Sequence, residues 1–111
     1  MSEALFTTVE AIEGRRQESG RRYLEFLRVP DLSVGLYRLE AGASDPQQPH
    51  AEDEVYWVVR GRCRFRAAAE EREVGPGSVL FVPARMEHRF VDIREPLEVL
   101  VVFGPAEGSR G

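Results

Sequence analysis

Short apolar runs alternate with turns along most of the chain. Residues 62–67 are the clearest case, because charged and apolar side chains alternate there strictly and predict a strand with one buried and one wet face. Other β-branched and aromatic runs predict strands at residues 23–29, 33–39, 55–59, 79–82 and 97–103. Turn-forming glycines, prolines and aspartates separate the runs. The pattern predicts an all-β protein, a sandwich or a barrel.

One segment has the local composition of a helix. Residues 67–73 read Ala-Ala-Ala-Glu-Glu-Arg-Glu, which are good helix formers. Because the segment is short and lies between two predicted strands, we interpret it as a hairpin connection and expect almost no helix in the protein. The last residues, from about 104 to 111, predict a short flexible tail.

Length and composition predict one hydrophobic core and therefore a single domain over residues 1–111. No apolar run approaches the roughly 20 residues of a membrane helix. The net charge of -4 gives no electrostatic reason to expect nucleic acid. All 15 basic residues are arginine, which excludes a lysine Schiff base. Cys63 is the only cysteine and the N-terminal residues do not resemble a secretory signal, so we expect a cytoplasmic protein.

The chain's two histidines each lie where a turn meets a β-rich run. The first stretch carries Gly42, Gln48, His50, Glu54 and Gly61. The second stretch runs from Gly77 to Asp92 and carries His88, which also follows a turn. Two imidazoles and a carboxylate that converge on one point can hold a divalent transition metal.

The two stretches resemble the paired motifs of the cupin superfamily. The first family motif, G-x5-H-x-H-x3-E-x6-G, holds here with Gln48 in place of its first histidine. The second, G-x5-P-x-G-x2-H-x3-N, runs from Gly77 to Asp92, with Arg85 in place of glycine and Asp92 in place of asparagine. The resemblance implies a single jelly-roll β-barrel. An up-and-down barrel is the alternative, which the motif order disfavours.

The resemblance also implies that Gln48, His50, Glu54 and His88 hold a metal ion inside the barrel. Neutral imidazole and carboxylate suit iron, manganese, nickel, copper or zinc, whereas a glutamine offers only a weak carbonyl ligand. Two histidines and one carboxylate are the ligand set of non-haem iron oxygenases. The alternative is a degenerate cupin in which Gln48 marks a lost metal site.

Two further side chains are candidates for catalysis. Tyr56 lies two residues beyond Glu54, so on a strand it shares that face and points toward the site, with plain core packing as the alternative. Arg85 is expected near the barrel mouth, where its guanidinium would anchor an anionic substrate, with an exposed loop arginine as the alternative. Because only Glu54 has the family spacing, Glu52 and Asp53 are interpreted as solvated turn residues, with a role as the carboxylate ligand as the alternative.

Two classes of function remain open at this stage. The first is a metal-dependent enzyme, for example a dioxygenase, that acts on a small organic substrate. The second is a non-catalytic small-molecule binding or sensor protein, with or without metal. Small cupins commonly dimerise, and Val55, Trp57 and Val59 face away from the predicted site, so we expect a homodimer.

Overall fold

The computed structural model describes residues 3–110, which form one helix and eight strands. The elements are α1 (Val9–Ser19), β1 (Tyr23–Val29), β2 (Leu32–Leu39), β3 (Asp53–Arg60), β4 (Cys63–Ala67), β5 (Glu70–Val74), β6 (Val79–Val82), β7 (His88–Val91) and β8 (Leu97–Gly104).

The strands form two antiparallel sheets that share one core. The larger sheet has the order β1-β2-β8-β3-β6, and the smaller has the order β5-β4-β7. The core draws on both sheets, with Tyr56, Val58 and Val99 from the larger one and Phe65 and Phe90 from the smaller. This is the predicted jelly-roll β-barrel, so the fold prediction is confirmed.

Strand β3 shows how the sequence positions the interior. Glu54, Tyr56 and Val58 are buried, whereas Val55 and Trp57 between them are exposed. Successive side chains of a strand point to opposite faces, so this alternation turns Glu54 and Tyr56 into the barrel together.

The helix-like residues 67–73 form a hairpin, as interpreted from the sequence. Ala67 on β4 pairs with Glu70 on β5, and Ala68 in the turn has a φ of 52°. Tertiary pairing therefore overrides the local helix propensity of this segment.

Helix α1 is a correction to the expectation of almost no helix. Thr8 caps its start, because its hydroxyl accepts a hydrogen bond from the Ala11 N–H at 3.1 Å. Gly20 ends it in the left-handed conformation, with its N–H donating to the Arg16 carbonyl at 3.2 Å. Only Ile12 of this helix is buried. Across residues 3–110, no helix is both long and apolar enough to cross a membrane.

The predicted flexible tail is a second correction. Ala106 is only 2% exposed, and the Glu107 N–H donates to the Ser33 hydroxyl at 2.9 Å. The Arg110 N–H donates to the Glu52 carboxylate at 3.1 Å. Glu52 is therefore buried and caps the C-terminal segment, where the sequence suggested a solvated turn residue. Residues 105–110 pack against the barrel, and Gly111 lies outside the described residues.

Three positions of the second motif adopt the left-handed backbone conformation. Gly77 has a φ of 90°, Arg85 a φ of 68° and Asp92 a φ of 50°. Glycine and asparagine tolerate this region best, which gives a physical reason for the residues that the family motif expects at the last two positions. Arginine is a strained choice at position 85.

Candidate metal centre

Three side chains of the predicted ligand set meet inside the barrel. Glu54 is the second residue of β3, His88 begins β7, and His50 lies in the loop that leads into β3. One ligand atom from each of the three lies within 4.8 Å of the others. The two strands that supply Glu54 and His88 belong to different sheets, so barrel closure brings them together.

The Glu54 carboxylate has an environment that suits a bound cation. Its side chain is 1% exposed, and within residues 3–110 neither of its oxygens has a hydrogen-bond partner. One oxygen lies 3.1 Å from His88 Nε2. A desolvated carboxylate without partners is costly, and a divalent ion would compensate it. Two imidazoles and one carboxylate are also a donor set that first-row transition metals accept, so the residues fit such an ion.

The His88 ring is held by a backbone carbonyl. Its Nδ1 lies 2.9 Å from the Met86 oxygen, which only accepts, so Nδ1 carries the proton and Nε2 faces the site. A ring N–H donated to a backbone carbonyl fixes the orientation of a histidine that binds metal through its other nitrogen. Burial lowers the pKa of His88, but the Glu54 carboxylate and the Met86 carbonyl outweigh it, and the pKa is raised overall.

The Tyr56 hydroxyl joins the cluster, as its strand position predicted. It lies 3.0 Å from His88 Nε2 and donates to Gln47 Oε1 at 2.7 Å. The ring is fully buried and packs edge-on against Phe90, with the ring centroids 5.0 Å apart. Burial, with Glu54 nearby, raises the pKa of Tyr56, so the hydroxyl stays protonated.

The structure places Gln48 differently from the ligand position implied by the resemblance. Gln48 is exposed and lines a polar depression on the surface together with Pro49 and Arg66. The amide that faces the cluster is its neighbour Gln47, which bonds to Tyr56 and also donates to Asp45 at 2.7 Å. The loop has no strand alternation, so periodicity could not indicate which glutamine turns inward.

Glu107 is a residue of the site that sequence reasoning missed. Its carboxylate lies 3.7 Å from His50 Nδ1, a distance for an electrostatic contact rather than a direct hydrogen bond. Burial raises the pKa of Glu107, although His50 opposes the shift. In the sequence, Glu107 lies in the predicted flexible tail, so no motif or periodicity marked it as a site residue. Packing of Ala106 brings Glu107 to the barrel.

A mostly apolar pocket of about 170 Å³ opens beside the cluster. Its walls combine aromatic, aliphatic and acidic side chains, namely Tyr23, Tyr37, Pro46, Gln47, His50, Glu54, Val101, Phe103 and Glu107. His50 and Glu54 belong both to this wall and to the cluster, so a molecule in the pocket would contact the candidate metal ligands.

Arg85 lies outside this pocket. Its side chain is exposed and lines a second depression together with His50, Glu52 and Glu107. The Arg85 N–H donates to the His50 carbonyl at 2.6 Å, which ties the loop before β7 to the loop before β3. Its backbone therefore helps to position His50, while its exposed side chain lines the outer depression.

The fold and this cluster define a small β-barrel protein with a histidine and carboxylate site in its interior. The chain matches the Cupin domain family over residues 35–103. The match covers more than half of the chain and includes all three clustered residues. The protein therefore belongs to this family, and the resemblance noted in its motifs is confirmed.

Comparison with individual proteins supports the same assignment. Uncharacterized protein SCO3923 of Streptomyces coelicolor is 48% identical over 99 residues, covering 89% of this chain and 94% of the relative. The structure of KdgF from Halomonas sp. is 26% identical, with a TM-score of 0.68 over 75% of this chain and 78% of that one. The DMSP lyase DddQ from Ruegeria pomeroyi DSS-3 is 22% identical, with a TM-score of 0.67 over 75% of this chain and 47% of the lyase. The chain thus spans about half of that lyase, and this likeness shows the fold alone.

Proposed function

We propose that this cupin is a metal-dependent enzyme that acts on a small organic molecule held inside the barrel. The observation that carries the proposal is the buried Glu54 carboxylate, whose oxygens lack hydrogen-bond partners within residues 3–110 while two histidines and a pocket lie beside it. Such a group stabilises nothing on its own, and it becomes favourable when a cation is bound.

In this proposal His50, Glu54 and His88 hold a divalent transition metal, with iron, manganese, nickel, copper and zinc as candidates. When bound, the metal would polarise an oxygen of the substrate as a Lewis acid or support oxidation chemistry. The Tyr56 hydroxyl, between His88 and Gln47, holds a proton that it can donate to a substrate oxygen.

Metal analysis tests the proposal most directly. Untagged protein purified without added metal should contain a transition metal, whereas His50→Ala and His88→Ala should contain much less. Arg89→Ala is a suitable control, because Arg89 is exposed beside His88 on β7. Circular dichroism would establish that each variant is folded. Equal metal content in the wild type and both histidine variants would remove the site.

The finer proposal is a dioxygenase-type reaction, supported by a ligand set of two histidines and one carboxylate. Oxygen uptake by iron-loaded protein across a panel of phenols, thiols and small acids tests it. The mainly apolar surface of the pocket supports the second candidate, a binding or sensor protein. Thermal stabilisation by one compound without turnover of any compound would favour that candidate.

We also propose that two copies pair through the outer face of the larger sheet. Two rows of outward apolar side chains cross its strands in register, Val34–Val102–Val55–Phe81 and Leu36–Leu100–Trp57–Val79. Leu36 is fully buried at the end near α1, whereas Trp57, Val79 and Phe81 at the other end are more than half exposed.

A second copy is the partner that suits this face. The two rows cross four strands about 4.8 Å apart, so this apolar surface is about 14 Å wide. The two rows contain no charged residue, so the same surface on another copy meets it without repulsion.

Light scattering coupled to size exclusion tests the pairing. The wild type should have the mass of a dimer, and a Trp57→Glu, Phe81→Glu double variant should be a monomer. Arg72→Glu, exposed on β5 of the other sheet, should leave the mass unchanged. A wild type that stays monomeric at high micromolar concentration would contradict the proposal.

We further propose a reducing, cytoplasmic location, supported by the single, buried Cys63.

A further inference from the structure

The Tyr23 hydroxyl is a buried polar group for which the fold supplies no partner. It lies in the wall of the pocket beside the candidate metal ligands, and within residues 3–110 it has no hydrogen bond. The other two tyrosines of this region are satisfied, because Tyr37 donates to Asp45 at 2.8 Å and Tyr56 donates to Gln47. Buried hydroxyls normally have partners, so the exception calls for a ligand.

The position of the Tyr23 ring is fixed by its neighbours. Gly35 on β2 lies directly under the ring, and any side chain at that position would overlap the phenol atoms. The ring also meets Tyr37 edge-on, with the centroids 6.2 Å apart. The hydroxyl is therefore held against the pocket by packing.

Tyr23 can act only as a neutral hydrogen-bond donor or acceptor in this setting. Burial raises its pKa, and the negative charges of Glu107, Glu25 and Glu54 raise it further. The hydroxyl thus keeps its proton, and the nearby carboxylates disfavour a second negative charge in the pocket.

The charged groups of the pocket wall also disfavour an anionic ligand. The acids of this wall are Glu54 and Glu107, and among residues 3–110 its basic group is the His50 imidazole rather than an arginine. Tyr37, Val101 and Phe103 give it a mainly apolar surface. Arg85, which the sequence suggested as an anchor for an acid group, lines the outer depression and not this pocket.

We propose that this pocket binds a small, uncharged molecule with an apolar body and a carbonyl or hydroxyl oxygen that accepts a hydrogen bond from Tyr23. Tyr23 is then a specificity residue that selects ligands with an oxygen acceptor and without a carboxylate. The inference rests on the proposed function only in taking this ligand to be the substrate. Binding itself needs no metal.

Three probes of nearly equal shape test the inference, namely benzamide, benzoate and toluene. Their affinities for the full chain, treated with a chelator, are measured by ligand-observed NMR titration. Benzamide should bind about tenfold more tightly than benzoate, because the carboxylate meets Glu54 and Glu107. Tyr23→Phe should weaken benzamide by about three- to tenfold, the effect of one hydrogen bond, and leave toluene unchanged.

A matched control uses an aromatic substitution far from the pocket. Trp57→Phe, on the outer face, should leave all three affinities unchanged. The proposal is overturned if benzoate binds as tightly as benzamide, if Tyr23→Phe weakens toluene and benzamide equally, or if benzamide shows no saturable binding. Because the titration is done on chelated protein, it tests the ligand preference independently of the metal centre. An absence of bound metal would not affect the titration, and an absence of benzamide binding would not affect the metal analysis.

Discussion

Glu54 and Glu98 are two buried carboxylates of the same sheet with opposite surroundings. They lie on the paired strands β3 and β8, and both are almost fully buried. One Glu98 oxygen lies 3.0 Å from the Arg60 guanidinium and 3.9 Å from that of Arg38, near helix α1. Within the described residues Glu54 forms no ion pair with an arginine, and it faces the two histidines and the pocket.

The difference separates a structural acid from a functional one. Two guanidinium groups lie against Glu98 and offset part of its charge, although burial still keeps its pKa raised and its Oε1 has no hydrogen-bond partner within residues 3–110. Around Glu54 the place of arginines is taken by two imidazoles, which are neutral ligands when deprotonated, and His88 Nε2 lies 3.1 Å from a Glu54 oxygen. Burial alone therefore does not identify a functional acid, and the type of partner does.

The largest expected effect is on zinc affinity, and it is tested by replacing Glu54 and Glu98 one at a time. Glu54→Gln removes the only negatively charged group of the three clustered residues. Its dissociation constant for zinc should rise about a hundredfold or more, equivalent to about 3 kcal/mol. Isothermal titration calorimetry of the chelated protein measures it.

Glu98→Gln serves as the matched control, since it makes the same chemical change at a buried position of the same sheet. Its zinc affinity should equal that of the wild type. If both variants lost zinc equally, the loss would reflect a general disturbance of the sheet, and the assignment of Glu54 would be wrong.

Metal addition should stabilise the fold through the Glu54 site alone. At a zinc concentration about a hundredfold above the dissociation constant, the free energy of unfolding of the wild type should rise by about 2.7 kcal/mol. The same concentration should raise the free energy of unfolding of Glu54→Gln by only about 0.4 kcal/mol, because its dissociation constant for zinc is expected to be about a hundredfold higher. Thermal melts with zinc and with chelator measure both. An equal gain in the variant would indicate binding elsewhere on the chain.

The sequence predicted the parts of this comparison that depend on strand periodicity and motif spacing. Glu54 and Tyr56 share one face because alternation on β3 is strict. The motif spacing brought His50 and His88 into the prediction, and the structure gathers them around Glu54. The hairpin at residues 67–73 followed from its place between two strands.

The missed features depend on contacts distant in sequence or on irregular backbone. Gln47 replaces Gln48 because the loop before β3 has no period from which a direction could be read. Glu107 reaches the site through packing of the C-terminal segment and a hydrogen bond to Ser33, which is 74 positions away. Helix α1 escaped prediction because it buries only Ile12 and lacks an apolar stripe.

Tyr56→Phe should have a moderate effect on stability. The hydroxyl satisfies Gln47 and contacts His88, and its removal leaves these buried groups with fewer partners. We expect a loss of about 1–2 kcal/mol in the free energy of unfolding of the metal-free protein. Urea denaturation measures it. A loss below the experimental error would mean that water replaces the hydroxyl and that Tyr56 serves mainly as core.

The smallest expected effect is the pH dependence of the difference in unfolding free energy between Glu98→Gln and the wild type. Burial raises the pKa of Glu98, while Arg60 and Arg38 oppose the shift and Glu13 adds to it. Below the ordinary value of 4.5, Glu98 is protonated in both the folded and the unfolded chain, so its charge costs nothing. As the pH rises through the raised pKa, the folded wild type must bury a charge that the glutamine variant lacks. The stability of Glu98→Gln relative to the wild type should therefore increase between about pH 4 and about pH 7, by less than about 1 kcal/mol. Other groups titrate in both proteins and cancel in the difference. A relative decrease, measured by urea denaturation across this range, would mean that the arginine pairs outweigh the cost of burial.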